Sequence, residues 1–135
     1  MRRYLLDSHV FMWLVGGDRP IRQATREAIE DGEADLYLSV ASVAELCIKS
    51  GLGKLRLPDV VEAEPGAGFE RIMTLNEIEA LHITVAHAAA LRDLPRHHGD
   101  PFDRLLIAQA MAEGLTMVTH DRAFARYEGL AVLWA

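Results

Sequence analysis

The segment His98-Gly99-Asp100-Pro101-Phe102-Asp103-Arg104-Leu105-Leu106-Ile107-Ala108-Gln109-Ala110 decides how the rest of the chain is read. Asp100 stands where a helix N-cap belongs, and Pro101 takes the first helical position, where a missing N–H costs nothing. An apolar run follows, as a buried helix face requires, and Gly114 stops the helix. Leu115-Thr116-Met117-Val118 then reads as a strand. Asp103 lies three residues past Asp100, so two carboxylates leave the first turn on one side. In isolation both acids do no more than complement the positive end of the helix dipole. Their meaning depends on whether acids elsewhere in the chain converge with Asp103.

The same alternation runs outward in both directions. Tyr4-Leu5-Leu6 is a short apolar strand that ends at Asp7, and helix-compatible residues run from His9 to Leu14 until Gly16-Gly17 breaks them. Pro20 starts a second helix, Ile21 to Glu30, closed by the turn pair Asp31-Gly32. Leu36-Tyr37-Leu38 is the next strand. Ser39 caps a helix in which Val40, Val43, Ala44, Cys47 and Ile48 form an apolar stripe at helical spacing. Gly51 and Gly53 end it. From Asp59 to Met73 the pattern gives two short helices, interrupted around Pro65, Gly66 and Gly68. Ala80 to Ile83 is a third strand, and Thr84 caps a helix from Val85 to Arg92. After the strand at Leu115, Asp121 to Tyr127 makes a short helix and Leu130 to Leu133 a terminal strand. Strands alternating with helices at this density predict an α/β sandwich around a mostly parallel sheet, one domain over residues 1–135.

Composition bounds the function. Half of the 135 residues are hydrophobic and a quarter are charged, the balance of a globular domain able to bury its own core. No apolar run has membrane-spanning length, and Met1-Arg2-Arg3 leads straight into a strand without a signal-peptide layout, so a cytoplasmic protein is expected. The single cysteine, Cys47, allows no internal disulfide. A net charge of −6 argues against coating nucleic acid through bulk charge, while leaving room for a local site where a cation mediates contact with phosphate.

In open parallel sheets ligands bind beyond the carboxyl ends of the strands. Asp7 follows the first strand directly, and Asp121 follows the strand at Leu115 after Thr119 and His120. Glu45 lies about two turns into the helix after the second strand, with Ser42 one turn before it. Asp103 opens the helix that precedes the strand at Leu115. The four acids can therefore converge on one edge of the sheet. Two unit charges ~4 Å apart repel by roughly 4 kcal/mol at an effective dielectric near 20, so such a cluster needs protons or a hard cation. Carboxylates with water are the ligand set of Mg²⁺ or Mn²⁺, and a site of that kind suits hydrolysis of phosphate esters. For a lone Asp7 or Asp121, capping the helix that follows is the plainer role.

Leu5-Leu6-Asp7-Ser8-His9, Ser39-x-x-Ser42-x-x-Glu45-Leu46-x-Ile48-Lys49, Gly53-Lys54-Leu55, His98-x-Asp100-Pro101-Phe102-Asp103-Arg104 and Thr119-His120-Asp121 together resemble the PIN-domain ribonucleases, and among them the VapC-type toxins of toxin–antitoxin modules. The resemblance runs from about Tyr4 to the C-terminus. It implies a three-layer α/β/α sandwich with about five strands. It also implies a Mg²⁺- or Mn²⁺-dependent endoribonuclease. Asp7 and Asp103 would be the principal ligands, Asp121 would complete the site, and Glu45 would ligate or orient the attacking water. Its members are typically homodimers held silent by a cognate antitoxin, so an RNA substrate, an antitoxin and a hetero-oligomer are the partners implied. Ala44 and His120 depart from the residues more usual in this family at those positions.

Around the acids, Ser8, Ser42, Thr119 and Asp100 are candidates to hydrogen-bond the carboxylates, with Asp100 chiefly the N-cap. Lys49, Arg104 and Lys54 are candidates to hold an RNA phosphate or an antitoxin carboxylate, with Arg56 extending the same basic rim. His97 and His98 invite a role as ligands or as a general base, although hard oxygen-ligated cations do not need them. Phe11, Met12, Trp13 and Trp134 read as packing or dimer-surface residues. A haloacid-dehalogenase-like phosphatase also begins with a strand ending in Asp, but it needs a second acid two residues on, where His9 stands. A metal-free binding module on the same fold stays open at this point.

Overall fold

A computed structural model describes residues 2–17 and 19–135. In chain order it contains β1 (Arg3–Leu6), α1 (Ser8–Gly16), α2 (Gln23–Ile29), β2 (Asp35–Ser39), α3 (Val40–Gly51), α4 (Asp59–Ala63), α5 (Pro65–Leu75), β3 (Ile78–Leu81), α6 (Val85–Ala90), α7 (Pro101–Glu113), β4 (Thr116–Thr119), a 3-10 turn (Arg122–Arg126) and β5 (Val132–Trp134). The five strands form one sheet in the order β3-β2-β1-β4-β5, and every pair is parallel. The order reverses between β1 and β4, which is where a doubly wound sheet opens its crevice.

Alternation along the strands produces the three layers. Tyr4, Leu6, Leu36, Leu38 and Val118 pack on one face with Phe11, Leu46, Val61 and Phe69 from α1, α3, α4 and α5. Leu5 and Met117 point the other way, into Leu106, Ile107, Ala110 and Phe124. Each central strand is thus covered on both faces, which is why Tyr4-Leu5-Leu6 in β1 reads as an unbroken apolar run and β4 keeps Met117-Val118 at its centre.

The helix starts follow their caps. Asp7 accepts a hydrogen bond from the backbone of His9, Ser39 from Ala41, and Asp100 from both Phe102 and Asp103. Thr84 and His87 form a reciprocal capping box on α6. Several expectations shift, the terminal strand among them, which runs Val132–Trp134 rather than Leu130–Leu133. The second helix starts at Gln23 rather than at Pro20, because Ile21 is spent filling the core before the helix begins. β3 lies two residues earlier than Ala80–Ile83: pairing with β2 sets Ile78 opposite Leu36, while Ile83 runs on exposed. The last short helix is a 3-10 turn.

At Gly68, α5 approaches the backbone of α4 closely. A β-carbon there would stand 2.5 Å from the Val60 carbonyl oxygen and 2.6 Å from Val61 Cα, both backbone atoms. Gly68→Ala is therefore expected to destabilise the protein by about 2 kcal/mol in urea denaturation, since the α4–α5 contact must open. Gly66→Ala, with no atom within 4 Å of the new carbon, should be neutral or slightly stabilising.

Candidate active site

The parallel pairing of β1 with β4 sets Leu6 opposite Val118, so the residues just beyond them, Asp7 and Thr119, meet at the carboxyl edge of the sheet. The backbone N–H of Asp7 still donates to the Val118 carbonyl at 2.9 Å, which ties the first acid to the end of the ladder. Above this edge lies a cavity of about 690 Å³ whose walls include Asp7, Glu45, Asp100, Asp103 and Asp121. Five carboxylates from the ends of β1 and β4, the middle of α3 and the start of α7 share one space.

Two of the acids are bonded at both oxygens. Asp7 is buried and accepts from the His9 backbone at 2.9 Å and from the Thr119 hydroxyl at 2.6 Å. Burial alone would push its carboxyl up, but the hydrogen bonds from His9 and Thr119 outweigh that and hold it below the usual carboxylate value. Thr119 Oγ1 also accepts the Asp121 backbone N–H at 3.1 Å, linking the acids after β1 and β4. Glu45, likewise buried, accepts from the Ser8 hydroxyl at 2.7 Å and from Lys49 Nζ at 2.8 Å. The bond that Lys49 donates to Glu45 raises the Lys49 pKa, and the Asp7 carboxylate, 3.6 Å away, raises that of His9.

Asp103 behaves differently. Burial, followed by the charges of Asp100, Asp7, Glu45 and Asp121, pushes its pKa up to about 7. The carboxylates repel one another, and Asp103 is the group on which the repulsion falls. A set of oxygen donors under that strain suits a hard divalent cation, whose charge would relieve it. As they stand, no three His, Cys, Asp or Glu side chains among the described residues are drawn in closely enough to hold an ion.

The other residues expected at the site divide. Ser8 and Thr119 bond the acids directly, and Asp100 caps α7 while lining the cavity. Ser42 is fully buried one turn before Glu45, and its hydroxyl has no partner among the described residues. Lys49 lines the cavity but is paired with Glu45. Lys54 is exposed and lies outside the cavity wall. Arg104 corrects the expectation of a binding cation. It is 9% exposed, and its guanidinium turns away from the cavity to the Pro95 and Leu94 carbonyls at 2.7 and 3.0 Å and to the Tyr127 hydroxyl at 3.2 Å. A planar fork of five donors is best satisfied by such a set of fixed acceptors.

The cavity also holds residues given no part in the site from the sequence, including Trp13, expected only as a packing or dimer-surface residue. His9 and Trp13, four apart on α1, share its wall with His120, Arg19 and Arg122. Trp13 and His120 are in ring contact at 4.6 Å, with the Arg19 guanidinium 4.6 Å from the Trp13 ring. The i, i+4 spacing of His9 and Trp13, starting two residues past Asp7, is the signal that could have found them. Nothing in the sequence pointed to Arg19 or Arg122.

The profile of the PIN-domain family matches residues 4–130. The chain belongs to the PIN-domain family. Among its relatives, Ribonuclease VapC22 of Mycobacterium tuberculosis is 32% identical over 123 residues, covering 90% of this chain and 89% of that protein. The PIN fold described above superposes on VapBC2 from Rickettsia felis, solved with a DNA fragment from the promoter, with a TM-score of 0.72 at 16% identity and 98% of each chain covered. VapBC-1 from nontypeable Haemophilus influenzae gives 0.64 at 20% identity, with 97% of this PIN domain and 96% of that chain covered. These likenesses agree with the three-layer, five-stranded architecture expected from the sequence. The cavity at the carboxyl edge of β1 and β4 is the place on this PIN domain where its acids gather.

Proposed function

We propose that this chain is a Mg²⁺- or Mn²⁺-dependent endoribonuclease and the toxin of a toxin–antitoxin pair. The observation that carries the reading is the gathering of Asp7, Glu45, Asp103 and Asp121 in one cavity, where burial and then the neighbouring charges raise the Asp103 pKa. The kinship with Ribonuclease VapC22 supports RNA as the substrate, and the VapBC complexes of similar fold support a cognate antitoxin. A homodimer acting in the cytoplasm is the expected setting.

Asp7, Asp103 and Asp121 would hold the ion, with Glu45 completing the set or aligning the attacking water. When bound, the ion supplies Lewis acidity for that water and for the leaving 3′-oxygen. The chain's own part is to keep the carboxylates in place and to admit the phosphate. Thr119 and the His9 backbone fix both oxygens of Asp7, and Ser8 and Lys49 fix those of Glu45. Arg19, Arg122 and Lys49 set cations around an acidic floor, where they offset the repulsion felt by an incoming phosphodiester. Recognition of this kind rests on the backbone and on groove shape.

Mn²⁺ titration calorimetry and RNA cleavage assays test the proposal together. The unmodified chain should bind the ion and cleave RNA, lose activity in excess chelator, and lose about 10²-fold or more in rate as Asp7→Asn with its fold retained. A protein that neither binds Mn²⁺ nor cuts RNA is a binding module on the PIN fold.

A further inference from the structure

We propose that His98 is a positioning residue for Asp103, its ring held by a chain of hydrogen bonds that aims Nε2–H at the Asp103 carboxylate. The inference rests on the metal-dependent reading above. Asp103 lacks the support its neighbours have. Asp7 and Glu45 each have both carboxylate oxygens bonded, whereas no hydrogen bond to the Asp103 side chain exists among the described residues. The polar group beside it is His98 Nε2, 3.4 Å from Asp103 Oδ2.

The proton order along the chain follows from what each group can donate. The Tyr127 hydroxyl is buried and accepts an N–H from Arg104 Nη1 at 3.2 Å. Arginine has no acceptor, so the hydroxyl's own proton must go elsewhere. His98 Nδ1, 2.7 Å away, takes it. A ring nitrogen that accepts a hydrogen bond carries no proton, so the neutral imidazole carries its proton on Nε2. Nε2 is shut off from solvent and has no well-aligned partner of its own, which leaves Asp103 as its destination. The ring is also wedged in place, edge-on to Tyr127 at 5.5 Å and tilted against Phe124 at 6.0 Å. At 3.4 Å the contact is longer than a good hydrogen bond, and under this proposal it shortens when Asp103 takes up the cation.

Two variants separate positioning from packing. His98→Gln carries an amide N–H out to about the place of Nε2, while His98→Asn stops near Nδ1 and keeps only the group that meets Tyr127. Both lose the ring, so both should lower the thermal midpoint by similar amounts. By calorimetry on the full chain, His98→Asn should bind Mn²⁺ about tenfold more weakly, and His98→Gln should stay within roughly threefold of the unmodified protein. Nitrogen NMR of the metal-free protein should show His98 as the Nε2–H tautomer, a readout that does not depend on either variant folding. Equal Mn²⁺ affinities for the two variants, or an Nδ1–H tautomer, would overturn this inference alone. Absence of Mn²⁺ binding by the unmodified chain would overturn it together with the metal reading.

Discussion

Asp103→Asn is expected to abolish RNA cleavage, by about 10³-fold, and at the same time to make the metal-free protein more stable at pH 8. The two effects have one cause. The Asp103 carboxyl is raised from its ordinary 3.8 to about 7, first by burial and then by the charges of Asp100, Asp7, Glu45 and Asp121. The folded state therefore binds this proton more tightly than the unfolded chain does. Stability falls as pH rises from about 4 to about 7, and the full cost is present above that. Asparagine keeps the shape and removes the charge. The gain should be largest above pH 7, shrink as the pH falls, and vanish only well below the ordinary value of 3.8, where the native residue is protonated in both states. A rise of roughly 3–6 °C in thermal midpoint at pH 8 corresponds to about 1 kcal/mol in a chain of this size. Saturating Mn²⁺ should reverse the order, because the native protein gains binding energy that the variant has lost. A variant that is less stable at pH 8, or that cleaves RNA at the native rate, would contradict the role given to Asp103.

Much of this site was legible because the chemistry is written into local rules. A cap such as Asp100-Pro101 fixes where α7 begins, and the beginning of α7 fixes which way Asp103 leaves it. Asp7 and Asp121 sit beyond strands whose apolar runs are unmistakable, and parallel pairing brings the ends of those strands together. For Asp7 and Asp121 the plain and the chemical readings coexist, since each caps the turn that follows it and also lines the cavity. What the sequence could not supply was direction. Arg104 adjoins Asp103, but successive residues on a helix point about 100° apart, and Arg104 faces the 94–95 carbonyls instead of the cavity. His98 was ambiguous because its meaning depends on Tyr127, 29 residues away. The boundary of β3 was blurred because an edge strand with one buried residue, Ile78, has almost no period to read.

The turn of Arg104 away from the cavity leads to the second large effect. Arg104→Met should destabilise the protein by about 3 kcal/mol, because the buried Tyr127 hydroxyl and the part-buried bonds to the Leu94 and Pro95 carbonyls lose one charged donor together. Arg104→Lys should recover only part of this, since one ammonium cannot span acceptors arranged around a planar fork. The alternative, in which Arg104 holds an RNA phosphate, makes the opposite forecast. Under that reading KM rises while urea stability stays unchanged, as for a surface cation. Under the arrangement described here, stability falls first. Cleavage by the molecules that remain folded declines with it, because the segment that Arg104 pins at Leu94 and Pro95 carries His98 to Asp103. Measuring urea stability and KM on the same preparation decides between the two, and a rise in KM without loss of stability would return Arg104 to the substrate.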